Sequence, residues 1–227
     1  MSLAAIIFDF DGVIANSEPL HFQAFRDEVA TRGVELTESA YYQRYLGFDD
    51  AGAFRAIAAA NHVEWNPSDI AAMVASKADR IVALEEHTSV LFPGAADAVR
   101  RAAAAVPIGI ASGALTAEIR RTLAREHLEE FFAVIVGADQ TAASKPAPDP
   151  YLRAVETMGS RLHISLQPGD CAAVEDSHWG LESARRAGLR TVAVAHTYDA
   201  QTLSSADLVI AKIDELDLGR LKNLFAN

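Results

Sequence analysis

Six short apolar runs, each followed by turn residues and then by a helix-like stretch, constrain this chain more than any other feature. The runs are Ala4 to Phe8, Val106 to Ala111, Val134 to Val136, Cys171 to Val174, Thr191 to Val194 and Leu208 to Ile210. Runs of this length bounded by turn residues suit strands buried on both faces. Between them lie alanine-rich stretches at 95–105, 115–126, 150–158 and 179–187, the last ending at Gly188, a candidate left-handed C-cap. Strands that alternate with helices predict an α/β chain with a parallel sheet covered on both faces, joined by right-handed crossovers.

One interval breaks the alternation. From about Asn16 to about Thr88 there is no convincing strand, only helical patterning at 19–32, 51–60 and 69–85. This predicts an all-helical domain at 16–88 inserted after the first strand, with residues 1–15 and 89–227 forming the core domain. Its hinges are expected near Asn16–Glu18 and Thr88–Pro93, where polar residues and Pro-Gly punctuate the chain.

The first run carries the first chemistry. In Ile6-Ile7-Phe8-Asp9-Phe10-Asp11-Gly12-Val13 an apolar run ends in two acids spaced i, i+2 and followed by glycine. On a strand both acids lie on one side of the carboxyl end, which in open α/β sheets faces the ligand crevice. A polar turn closing an alternating strand is the simpler account of this fragment alone, since Asp-Gly is common turn chemistry. Two carboxylates there call for a shared proton or a metal, and a divalent cation suits phosphate chemistry.

Three later segments bear on that choice. Ile108 to Ala111 runs into Ser112-Gly113-Ala114 at the start of a helix, where a hydroxyl and free backbone N–H groups either hold a phosphate oxygen or simply cap the helix. Ser144-Lys145-Pro146-Ala147-Pro148-Asp149-Pro150 sets a lysine among three prolines, a rigid mounting for an ammonium that balances carboxylates and a phosphoryl group. Ala172-Ala173-Val174 ends in Glu175-Asp176, with Ser177 placed to cap the next helix.

Composition narrows the function class. The net charge of −11 and the lack of any Lys/Arg run argue against nucleic-acid binding. No window approaches about 18 uninterrupted apolar residues, so no membrane span is expected, nor is a signal peptide. Cys171, the single cysteine, excludes an intramolecular disulfide and reads as a small buried side chain. A cytoplasmic chain is expected, monomeric for want of a heptad seam.

The order Asp-x-Asp, Ser, Lys, Glu-Asp, each at the end of an expected strand, resembles the haloacid dehalogenase superfamily across essentially the whole chain. The helical insert is similar to that of the subgroup holding β-phosphoglucomutase and small sugar-phosphate phosphatases. The resemblance implies a Rossmann-like doubly wound core with a helical cap, a small phosphorylated metabolite as substrate, and Mg²⁺ as cofactor. It implies Asp9 as the nucleophile that becomes an aspartyl-phosphate, and Asp11 as general acid and base. Asp9 and Asp176 would offer carboxylates to the metal, Asp11 its backbone carbonyl, and Glu175 would act through metal-bound water. Ser112, Gly113 and Lys145 would bind the phosphoryl group, Lys145 also orienting Asp9. Gly12 and the turn around it would let the cap open and close.

Asp11 argues against dehalogenase activity, because the dehalogenases that name the superfamily lack this second acid. His21 follows Ser17-Glu18-Pro19-Leu20, a pattern of sugar-phosphate members; it either couples cap closure to proton transfer or is a helix-surface histidine. Lys77 falls where related enzymes carry a substrate-facing cap lysine, and an exposed helical lysine is as natural there. In Leu46-Gly47-Phe48-Asp49-Asp50 the pattern departs. The mutase carries an arginine there for a second phosphate, whereas the aligned residue here is Asp50, which would repel a bisphosphate. Ala114-Leu115-Thr116 also lacks the mutase's Lys-Asn pair. The expectation is a phosphatase, with a phosphomutase second and a non-catalytic binding module third.

Overall fold

The computed structural model describes residues 2–45, 48–85 and 88–226. Its core unit, residues 1–16 and 90–227, is built on a six-stranded sheet; residues 17–89 form a second unit of helices. Leu46 and Gly47 of the segment around Phe48 lie outside the described residues.

In the core unit the chain runs β1 (Ala5–Phe8), α5 (Ala95–Ala103), β2 (Ile108–Ala111), α6 (Thr116–Arg125), β3 (Phe132–Val136), α7 (Asp149–Leu162), β4 (Cys171–Glu175), α8 (His178–Ala187), β5 (Arg190–Val194), β6 (Leu208–Ile210) and α9 (Leu218–Asn223). The helical unit holds α1 (Glu18–Ala30), α2 (Glu38–Arg44), α3 (Asp50–Ala60) and α4 (Pro67–Glu85). Strand order is β3-β2-β1-β4-β5-β6, every pair parallel. Parallel strands buried on both faces need continuous apolar sequence, and β1, β2 and β4 are buried throughout. One face packs on α7 and α8 through Ile7, Val134, Tyr151, Val155, Met158, Ala173 and Ala184.

The register fixes what stands at the carboxyl edge. Phe8 pairs with Ile110 on one side and Val174 on the other. The next residues, Asp9 and Glu175, therefore emerge side by side, and Asp9 N–H extends the ladder to Val174 O at 2.8 Å. Ser112 follows β2 one position further and donates its N–H to Val136 O at 3.0 Å.

The expected strands and long helices are present, with no end displaced by more than four residues. Helices α2 and α9 were not expected. Ser177 caps α8 by accepting the Gly180 N–H at 3.1 Å, and Gly188 closes that helix at φ 90°. Leu115 holds the N-cap position of α6, so Ser112 does not cap that helix. The helical unit has its own core of Phe25, Val29, Tyr41, Phe54, Ile57, Ile70 and Met73. Glu28, 3% exposed, ties α1 to α4 by accepting from Ser76 Oγ at 2.6 Å and Arg80 Nε at 3.1 Å. Among the described residues no helix is long and apolar enough to cross a membrane.

Candidate active site

Four charged side chains converge at the carboxyl ends of β1 and β4. Lys145 Nζ lies 2.9 Å from Asp9 Oδ2 and 2.6 Å from Glu175 Oε1. Carboxylate oxygens of Asp9, Glu175 and Asp176 all lie within 4.8 Å of one another, and all three residues are buried. The loop 141–148, with its cis Lys145–Pro146 bond, delivers the ammonium. Three carboxylates thus face one ammonium in a place that water cannot screen.

The electrostatic consequences follow from burial and crowding. Burial, then the charge of Glu175, pushes the Asp9 carboxyl well above the ordinary range, against the pull of Lys145. Burial pushes Asp176 up to about 6, although Thr197 donates a hydrogen bond to its Oδ2. Burial works against the charge on Lys145, but Asp9 and Glu175 outweigh it and hold the ammonium protonated. These oxygens are hard donors, close enough to share one ion, and a divalent cation would relieve their repulsion. Asp9, Glu175 and Asp176 therefore fit a metal ion.

Two glycines make room for this cluster. A Cβ on Gly12, which has φ 78°, would fall 2.0 Å from Asp176 Oδ2. A Cβ on Gly180 would fall 1.9 Å from the Glu175 carboxylate. Both are closer than any side chain tolerates, so the two acids occupy the volumes that side chains would claim.

Asp11 sits half-buried on the turn after β1, bridged to Ala15. Ser112, 3% exposed, accepts the Ala114 N–H at 3.1 Å. Gly113 is exposed, with nothing within 4 Å of where a Cβ would stand, so the loop is open to an approaching anion.

His21, Asp50 and Lys77 come together within the helical unit. Lys77 Nζ lies 2.5 Å from Asp50 Oδ1, 3.0 Å from His21 Nδ1 and 4.3 Å from the Phe25 ring centroid. At 2% exposure Lys77 is not the solvent-facing helical lysine that its residue type suggests: ion pairing and the aromatic face compensate its burial. His21 is likewise half-buried rather than a free surface histidine. Cys171 is buried, and burial pushes its thiol up to about 12, away from the thiolate form.

Three residues had no signal in the sequence. Tyr151 donates its hydroxyl to Glu175 Oε1 at 2.7 Å from the buried face of α7. Thr197 reaches Asp176 from the loop after β5. His196 stacks on Phe92 with centroids 3.9 Å apart and places Nδ1 3.0 Å from Gly12 O. Each lies in an ordinary apolar or polar stretch, and only the fold brings the first two to the acids and the third to the turn after β1.

Comparison with known proteins gives a consistent set of relatives. The sequence model described as haloacid dehalogenase-like hydrolase matches residues 6–194. Protein CbbY of Rhodobacter capsulatus is 36% identical over 91% of this chain and 92% of its own length. A phosphorylated carbohydrates phosphatase of Thermotoga maritima is 28% identical over 98% of this chain and all of its own. Among solved structures, CbbY of Rhodobacter sphaeroides in complex with xylulose-(1,5)bisphosphate superposes with a TM-score of 0.76 at 28% identity, covering 98% of this chain and all of that one.

Proposed function

Since the chain belongs to the haloacid dehalogenase-like hydrolase family, we propose that it is an Mg²⁺-dependent phosphatase that hydrolyses a phosphorylated sugar through a phosphoaspartate on Asp9. The observation that carries this reading is the buried cluster of Asp9, Glu175 and Asp176 facing the single ammonium of Lys145. A relative named for phosphorylated carbohydrates and a structural neighbour solved with xylulose-(1,5)bisphosphate support the substrate class.

In this reading an Asp9 carboxylate oxygen attacks phosphorus and the ester oxygen leaves, taking a proton from Asp11. Water then attacks the phosphoaspartate, giving its proton back to Asp11, and inorganic phosphate departs with Asp9 restored. Lys145 spans Asp9 and Glu175, orients the nucleophile and offsets charge on the phosphoryl oxygens. Ser112 and Gly113 hold those oxygens from the end of β2. Asp9 and Asp176 would hold the cation directly and Glu175 through water, with Asp11 contributing its backbone carbonyl. When bound, the ion supplies alignment and charge neutralisation, which phosphoryl transfer chiefly needs.

The ion pair in the helical unit supports a phosphatase over a phosphomutase. Asp50 takes up the Lys77 ammonium, so that pair offers no net positive charge to a second phosphate. A sugar monophosphate is favoured for the same reason, and xylulose 1,5-bisphosphate is the informative contrast.

The test is phosphate release from a panel of sugar monophosphates, that bisphosphate and non-sugar esters, with Mg²⁺ and with EDTA. Asp9→Asn should lower turnover by about four orders of magnitude or more. Release that survives the substitution, or none from any ester by the parent chain, refutes the reading.

A further inference from the structure

Glu175 is the most enclosed group in the cluster, 0% exposed, and its two oxygens divide their partners. Oε2 accepts from Asp176 N–H at 3.2 Å and from Ser177 Oγ at 3.3 Å, both within two residues of Glu175 itself. Oε1 accepts from two side chains of another segment, Lys145 Nζ at 2.6 Å and Tyr151 Oη at 2.7 Å. The Lys145 ammonium also stands 5.3 Å from the Tyr151 ring centroid. Tyr151 is fully buried, and its ring belongs to the apolar layer of Ile7, Ala154, Val155 and Met158. A phenylalanine would fill that layer as well, so the hydroxyl serves the carboxylate rather than the core.

The geometry points to Tyr151 as a positioning residue that sets, through Glu175 and Lys145, how tightly the acid cluster holds its divalent cation. The inference rests on the phosphatase reading and extends it to a residue outside the motif positions. With the tyrosine bond in place, Glu175 needs only half of what Lys145 offers, and the ammonium is shared with Asp9. Without that bond, Oε1 keeps a single donor in a buried place. The ammonium is then drawn toward Glu175 and away from Asp9, and the Glu175 carboxylate gains freedom to turn. Either change misplaces an oxygen that the cation needs, directly or through water. Partners of metal-ligating carboxylates are typically worth about 10–100-fold in metal affinity.

The experiment measures binding of Mn²⁺ by the full chain, counting free ion by electron paramagnetic resonance, with Mg²⁺ as competitor. Tyr151→Phe is compared with the parent and with Val155→Ala, which loosens the same face of α7 at a side chain with no hydrogen bond to offer Glu175. The expected result is about 10–100-fold weaker binding in Tyr151→Phe and near-parental binding in Val155→Ala. The cation concentration for half-maximal phosphate release should rise in step, more than the rate at saturating cation falls. Binding by Tyr151→Phe within twofold of the parent overturns the inference and leaves the phosphatase reading standing. Parallel weakening in both variants overturns it too, because packing alone would then be the cause. A parent chain that binds no divalent cation removes both the inference and the metal-dependent reading.

Discussion

Gly180→Ala is a substitution for which helix propensity and the site predict opposite signs. Alanine in place of a helical glycine ordinarily stabilises by up to about 1 kcal/mol. Here the new methyl would stand 1.9 Å from the Glu175 carboxylate, where ordinary contact begins at 3.4 Å, so the carboxylate must retreat by 1.5 Å. Those atoms are the tip of a flexible side chain, but the tip is fully buried and held by Lys145, Tyr151, Ser177 and the Asp176 N–H. A shift of that size cannot keep all four bonds. Each bond to a charged group contributes roughly 1.5–3 kcal/mol, so losing two costs about 3–6 kcal/mol. After the propensity gain, the net loss is about 2–5 kcal/mol. Urea denaturation of the EDTA-treated chain at pH 7 should show the variant's midpoint well below the parent's, and its cation affinity should fall as well. A midpoint equal to or above the parent's would mean that Glu175 moves freely, which would refute the account of the site as a locked cluster.

Gly113→Ala should behave in the opposite way. With no atom near the added methyl, stability should stay within about 0.5 kcal/mol of the parent. A phosphoryl group approaching that backbone meets the methyl, so kcat/KM for phosphate release should fall at least about tenfold; an unchanged value would remove Gly113 from the phosphate cradle. Asp176 supplies a pH test in the cation-free chain. Its folded pKa of about 6 exceeds the ordinary 3.8, so between those values the native state binds more protons than the unfolded one. Its contribution to stability therefore falls as pH rises through that window, reaching a cost of about 3 kcal/mol at neutral pH. Thermal unfolding in EDTA should find Asp176→Asn more stable than the parent at pH 7, with the gap closing toward pH 4. A gap that does not vary with pH would contradict this.

Much of the core was legible because its strands announce themselves twice, by an apolar run and by the chemistry that ends it. Asp9, Ser112 and Glu175 each follow such a run, and parallel register places them at one edge. The short helices α2 and α9, of seven and six residues, are too brief to show a periodic face. Lys77 illustrates a different limit. Its burial depends on Asp50, 27 residues away, and on the Phe25 ring, partners that no local pattern predicts. Tyr151 carries no sequence signal, since its hydroxyl has meaning only beside Glu175, 24 residues later.

The place of β1 in the sheet also bears on how the protein is made. It is the first strand of its sheet to leave the ribosome, yet it lies between β2 and β4 and is entirely buried. Its partner in β4 begins at Cys171, so at roughly 5–20 residues per second β1 waits on the order of ten seconds for its second neighbour. Residues 17–89, emerging in between, have a core of their own to assemble in that interval. The nascent chain must therefore carry an apolar strand without its final partner until β4 has emerged. The acid cluster, which needs both Asp9 and Asp176, can close only once translation has passed Asp176.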